Sequence, residues 1–180
     1  MKTKNKISAV FILAAMVMVF LAGCKKTESG GKEQEVLNGD LTAIIETVYE
    51  KAKADLNVEN TTIDLTNKDM VKYNMGLEDA SKIKEAVVSE ALISSQAYSL
   101  VLVRVKDTSD AEQVAKDMRD GIDQRKWICV MADDMQVVTY NDLVMLVMVD
   151  SAMKDNVTSQ KLVDAFREMC GRDFDVQLSK

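Results

Sequence analysis

The stretch "MQVVTYNDLVMLVMVD", residues 135–150, decides how this chain folds. Two apolar runs flank Asn141-Asp142, a two-residue polar link suited to a tight β-hairpin, because asparagine and aspartate tolerate the backbone such turns demand. The second run, Leu143 to Val149, is apolar at every position and therefore on both faces. A strand of that kind belongs at the centre of a sheet that is covered on both sides.

Working outward, "IKEAVVSEALI" (83–93) and "AYSLVLVRV" (97–105) read as two further strands. In the latter, Val101, Val103 and Val105 share one face, and Leu100, Leu102 and Arg104 share the other. The cover comes from helices. Leu41, Ile44, Ile45, Val48, Tyr49 and Ala52 recur with helical spacing, while Glu46, Glu50, Lys51 and Lys53 point away. "TNKDMVKYNMG" predicts a short helix ending at Gly76. "DTSDAEQVAKDMRDGIDQRKW" predicts a longer one, with a Ser109/Glu112 capping box and with Gly121 as a point of fraying or bending. Ser159 to Cys170 predicts a last helix, which buries Leu162, Val163, Phe166 and Met169 and stops at Gly171. The order is α-α-β-β-α-β-β-α: an α+β single domain with a mostly antiparallel four-stranded sheet. Strands 97–105 and 135–140, if parallel neighbours, require a right-handed crossover through the helix between them.

The N-terminus has another logic. "MKTKNK" carries three lysines and no acid, and the following run, Ile7 to Gly23, is uncharged. A basic start, an apolar stretch and small residues are the layout of a secretory signal. At about 17 residues the run is at the lower edge of what spans a bilayer. Leu21-Ala22-Gly23-Cys24 resembles a bacterial lipobox, which implies diacylglycerol on Cys24 and cleavage before it. Two acyl chains anchor stably where one does not. Residues 1–23 are thus read as a signal peptide, 24–39 as a lipidated cysteine and flexible tether, and 40–180 as the globular domain. The tether reading rests on a polar stretch with adjacent glycines and no helical stripe.

Of 180 residues, removal of the first 23 leaves 157, and loss of Lys2, Lys4 and Lys6 takes the net charge from −6 to −9. An acidic domain disfavours nucleic acid and anionic headgroups as direct partners. The absence of histidine removes the usual base near pH 7 and the commonest metal ligand. Asp133-Asp134 and Asp173/Asp175 are the acid pairs to weigh. No calcium-loop spacing accompanies them, so they read as turn residues. Met145 and Met148 offer a soft-metal alternative but sit in an apolar strand and read as core. Trp127 reads as a partly buried tryptophan or a ligand anchor. Cys129 and Cys170 read as buried thiols or as a disulfide closing a 41-residue interval. No C-x-x-C is present.

The stretches "AIIETVYEKA", "DMVKYNMGLEDASKIKEAVVSEALISSQAYSLVLVRVKDTSDAEQVAKDMRDGIDQRK" and "QVVTYNDLVMLVMVD" resemble a family of small bacterial lipoproteins, domain of unknown function 4358. Its pattern has a Tyr-x-x-Gly element (here Tyr73 to Gly76) before two strands, and a closing hairpin. Many relatives carry a tyrosine-proline pair where this chain has "WICVMADD". The resemblance implies a fold and an envelope location and no activity. The expectation is a membrane-anchored, extracytoplasmic, non-enzymatic binding or adaptor domain. It needs no cofactor, and its partners are the membrane through Cys24 and an envelope protein. The alternatives are a small-ligand-binding lipoprotein of a transport system and a carboxylate-based envelope hydrolase.

Overall fold

The computed structural model describes residue 33 and residues 35–93, 95–152 and 157–180. The signal peptide, the Leu21–Cys24 motif and most of the tether lie outside the described residues. Among the described residues, no helix is long and apolar enough to cross a membrane.

The main helices and strands among the described residues follow one another: α1 (Leu41–Ala52), β1 (Val58–Thr62), α2 (Lys68–Met75), β2 (Ile83–Ala91), β3 (Tyr98–Val105), α3 (Ala111–Gly121), β4 (Asp134–Tyr140), β5 (Leu143–Val149), α4 (Ser159–Cys170) and β6 (Val176–Ser179). They build an α+β fold around one sheet with the strand order β1-β2-β3-β5-β4-β6, antiparallel at every junction. The sheet has six strands, where the sequence pattern predicts four. β1 and β6 are the additions, and both are edges. "VENTT" carries no apolar face, and "VQLS" offers only Val176 and Leu178, an alternation too short to signal a strand.

β5 is central and buried at all seven positions, as its composition requires. It pairs with β4 through the Asn141-Asp142 hairpin, where Asn141 adopts φ 52°, and with β3 on its other side. β3 and β4 therefore run the same way without being neighbours, since β5 lies between them.

The alternation of side chains splits the core in two. On the first face, Leu100, Leu102, Met145, Val147 and Val138 pack under α1 and α4. On the second, Val101, Val103, Leu146, Met148 and Val137 pack under α2 and α3. At the junction of α2 and α3 the backbones touch. A Cβ added to Gly121 would lie 2.1 Å from the carbonyl oxygen of Gly76, which caps α2 at φ +72°. Gly121 ends α3 because this approach leaves no room for a side chain.

Two local expectations are corrected. The Ser109/Glu112 capping box does not form. Asp107 instead accepts from the Ser109 amide and hydroxyl at 2.9 and 2.8 Å, and Lys116 Nζ donates to Glu112 at 2.6 Å. Asp107 wins because a 3₁₀ turn, Thr108–Asp110, precedes α3 and moves the first free amides upstream. The second correction is that the folded unit begins before Asp40. Residues 35–37 are helical, Leu37 is only 3% exposed, and Arg104 on β3 donates to the carbonyls of Leu37 (3.3 Å) and Gly39 (2.8 Å). Arg104 also pairs with Glu85 at 2.7 Å and Asp142 at 3.1 Å, so the planar guanidinium ties three separate segments together.

Candidate functional site

After α3 the chain turns sharply. Asp123 accepts from the Arg125 amide (2.8 Å), and the Lys126 amide donates to the Asp123 carbonyl (3.3 Å). The turn folds Lys126 and Trp127 back onto the second face of the sheet. Gln124 closes the base of the loop. Its carbonyl accepts from the Ala132 amide at 2.9 Å, and its side chain donates to the Ala132 carbonyl at 3.0 Å.

Lys126 is thereby desolvated, with a side chain only 2% exposed. Its Nζ lies 2.5 Å from Glu90 Oε1 on β2 and 3.3 Å from Ser99 Oγ on β3. It sits over the Tyr73 ring at 4.7 Å and the Trp127 ring at 5.2 Å, within cation–π range of both. At that distance the Glu90 contact is a short charge-assisted ion pair, and Glu90 Oε1 is itself shielded from water. Burial pulls the Lys126 pKa below the ordinary lysine value, against the opposing pull of Glu90. Burial, then the charge of Glu90, raises the phenol of Tyr73. Glu59 on β1 stands opposite Glu90 in the ladder, adding a second carboxylate to this face.

A groove of about 460 Å³ runs beside this cluster, between α2 and the β1–β2 edge. Val88 and Met70 line it with apolar surface, Tyr73 and Asn74 come from α2, and Thr61, Asp69 and Glu90 supply oxygens. The exposed large hydrophobic side chains among the described residues are Tyr73, Leu92, Ile93, Ile128 and Met131. They occupy the same three segments that supply Lys126 and its partners: α2, the end of β2, and the loop after α3. Ile128 is 80% exposed. The arrangement thus sets a shielded charge and two aromatic rings among segments that also carry exposed apolar side chains, a composition suited to recognition.

The residues flagged in the sequence are scattered. Asp133 accepts from the amide and hydroxyl of Ser151, whereas the adjacent Asp134 accepts from those of Ser159 at the start of α4. They diverge and brace two loops. Asp175 pairs with Arg172 and accepts from the Asn141 amide, while Asp173 is exposed. Among the described residues no group of three or more potential metal ligands comes together. Met145 and Met148 are core residues on opposite faces. The disulfide is absent. Cys129 is exposed and Cys170 buried, both free. Cys170 belongs to the first-face core, while Trp127 and Val130, either side of Cys129, pack on the second, so the sheet separates the thiols. Trp127 is half-buried against the second-face core.

A larger cavity of about 530 Å³ opens where α2 and α3 end. Its acids are already engaged: Glu78 with Lys72, Asp79 with Ser81, Asp117 with Gln113 and Asp120 with Arg119.

Sequence reasoning missed the Lys126–Glu90 pair. A signal existed, because Glu90 shares the parity of Ala86 and Val88 and so falls on a core-facing side, where a carboxylate needs a cation. No family model matches this chain, and no curated protein or solved structure matches it either.

Proposed function

We propose that this chain is a lipid-anchored extracytoplasmic binding domain, non-enzymatic, whose recognition surface is the Lys126 end of the second face. The observation that carries the reading is the gathering of exposed Tyr73, Leu92, Ile93, Ile128 and Met131 on the segments that enclose a neutralised lysine. Scattered exposed apolar residues are ordinary, but a gathered set rimmed by polar groups marks an interaction site. The Lys126 ammonium is held by a carboxylate and two rings, and no histidine stands by to move a proton. Recognition therefore suits this chemistry better than hydrolysis.

Anchoring rests on Leu21-Ala22-Gly23-Cys24, and kinship with domain of unknown function 4358 rests on the stretches quoted above. Labelled fatty acid should enter the wild-type chain and not Cys24→Ser; incorporation into both sinks the anchor. For the recognition surface, a photo-crosslinking side chain placed at Ile128 in the anchored protein should give a discrete adduct in its own envelope. The same group at Glu46, exposed on the opposite layer, should give none. Equal adducts from both sites, or none from either, would overturn the assignment.

A further inference from the structure

β1 is an edge whose free side has a definite chemistry. The Leu92 amide donates to the Asn57 carbonyl, and the Ile63 amide donates to the Ala86 carbonyl, at 3.0 and 2.9 Å. In an antiparallel ladder the inward-bonding residues alternate. Glu59 and Thr61 therefore bond toward β2, and the backbone groups of Val58, Asn60 and Thr62 face outward. Among the described residues β1 pairs with β2 alone.

The side chains on that edge are equally specific. Glu59 and Thr61 project on the second face, the face of the Tyr73 groove, with Glu90 and Asp69 beside them. Glu59, Asp69 and Glu90 thus put three carboxylates along this side of the edge, with the buried Lys126 paired to Glu90. Two copies of β1 laid antiparallel would bring their Glu59 carboxylates onto a shared face, which disfavours self-pairing. The charge favours a strand of opposite sign.

We propose that β1 and the Tyr73 groove dock an extended, lysine- or arginine-bearing peptide segment of a partner protein. This deepens the proposed function and rests on it. The segment adds a seventh strand through the outward groups of Val58, Asn60 and Thr62, over about 17 Å for five residues. Its alternate basic side chains lie on the second face, one of them over the Tyr73 ring with its charge toward Asp69 and Glu90. The Tyr73 ring and Glu90 would treat that cation as they already treat Lys126.

The full chain in detergent micelles provides the test, because Trp127 is its single tryptophan and its ring contacts the cluster. Three capped heptapeptides are titrated against its fluorescence: one alternating valine and lysine, its glutamate counterpart, and the lysine peptide N-methylated at every second amide. The lysine peptide should bind saturably, about tenfold or more tighter than the glutamate peptide, and N-methylation on the pairing edge should abolish binding. Tyr73→Ala and Asp69→Asn should each weaken it, and Glu46→Gln should leave it unchanged. Absent saturation, indifference to N-methylation, or equal weakening by Glu46→Gln would overturn the proposal. If all three peptides fail while crosslinking at Ile128 still yields its adduct, the recognition surface stands and the basic strand is the wrong occupant.

Discussion

The two faces of the sheet are closed in different ways. On the first, two 12-residue helices, α1 and α4, are both cleanly capped: Asp40 accepts from the Thr42 amide and Thr158 from that of Lys161. The polar groups beneath them find partners, for Tyr98 donates to Tyr49 and Tyr49 to Ser89. On the second face, α2 and α3 are shorter, and an irregular loop finishes the cover. That loop carries the buried Lys126 ammonium and the exposed Ile128 and Met131. Regular helices bury a stripe and satisfy their own backbone, whereas a loop has side chains to spare for other work. Both faces bury a large apolar cluster, but only the second is finished by an irregular loop, and that is where the proposed recognition surface lies.

The largest expected effect tests the first half of that contrast. Phe166 on α4 is fully buried and stacks on Phe174 at 5.7 Å. Phe166→Ala should cost about 3–5 kcal/mol by chemical denaturation. Met131→Ala, on the rim of the second face, should stay within about 0.5 kcal/mol. Similar losses from both would break the contrast.

Next in size is the segment ahead of α1. Because Leu37 is buried and Arg104 takes two carbonyls from this segment, a chain beginning at Asp40 should be less stable than one beginning at Lys25 by about 2–4 kcal/mol. Equal melting temperatures would restore the reading of residues 24–39 as tether throughout.

The parts that bury no regular stripe were the harder ones to read from sequence. Periodicity places α1, α2, α3, α4 and strands β2 to β5, because each buries a regular stripe that repeats in the sequence. It does not reveal "VENTT", which is held by backbone pairing and buries little. Nor does it reveal the role of Leu37, a lone apolar residue whose value depends on Arg104, which lies far along the chain. Lys126 was invisible for the same reason. A lysine just past a helix looks solvated, and only Glu90 and Tyr73, brought in from β2 and α2, remove it from water. Tyr73 and Trp127 were each noticed, but nothing in their spacing joins them.

A smaller, pH-dependent effect sharpens the account of that lysine. Lys126→Met keeps the apolar stem but leaves Glu90, whose side chain is 30% exposed, without its cation, so stability near pH 7 should fall by about 1–3 kcal/mol. The profile is more telling. Burial lowers the folded pKa of Lys126, so its cost is fully present below that value. Above it, and up to the unfolded lysine value, the unfolded chain holds the extra proton and this group's contribution to stability rises with pH. Tyr49, pushed up to about 12 by burial, acts with the opposite sign above pH 10, since the unfolded chain then loses the proton first. Subtracting the Lys126→Met profile from the wild-type profile cancels that common part. The difference should move in favour of the wild type as pH rises, and a flat difference would mean Lys126 is solvated.

The smallest effect concerns the cysteines, which stand on opposite sides of the contrast. Burial raises the thiol of Cys170 to about 12, leaving it a protonated apolar group in the first-face core. Cys129 is exposed in the second-face loop at φ 66°, so a serine there meets the same backbone and the same solvent. Cys129→Ser should therefore shift stability by less than about 0.5 kcal/mol. Because the sheet lies between the two thiols, adding a reductant should leave the wild-type melting temperature unchanged. A bridge closing the interval between them would have contributed up to about 4 kcal/mol, so a fall of several degrees on reduction would show that the chain does join its two faces covalently.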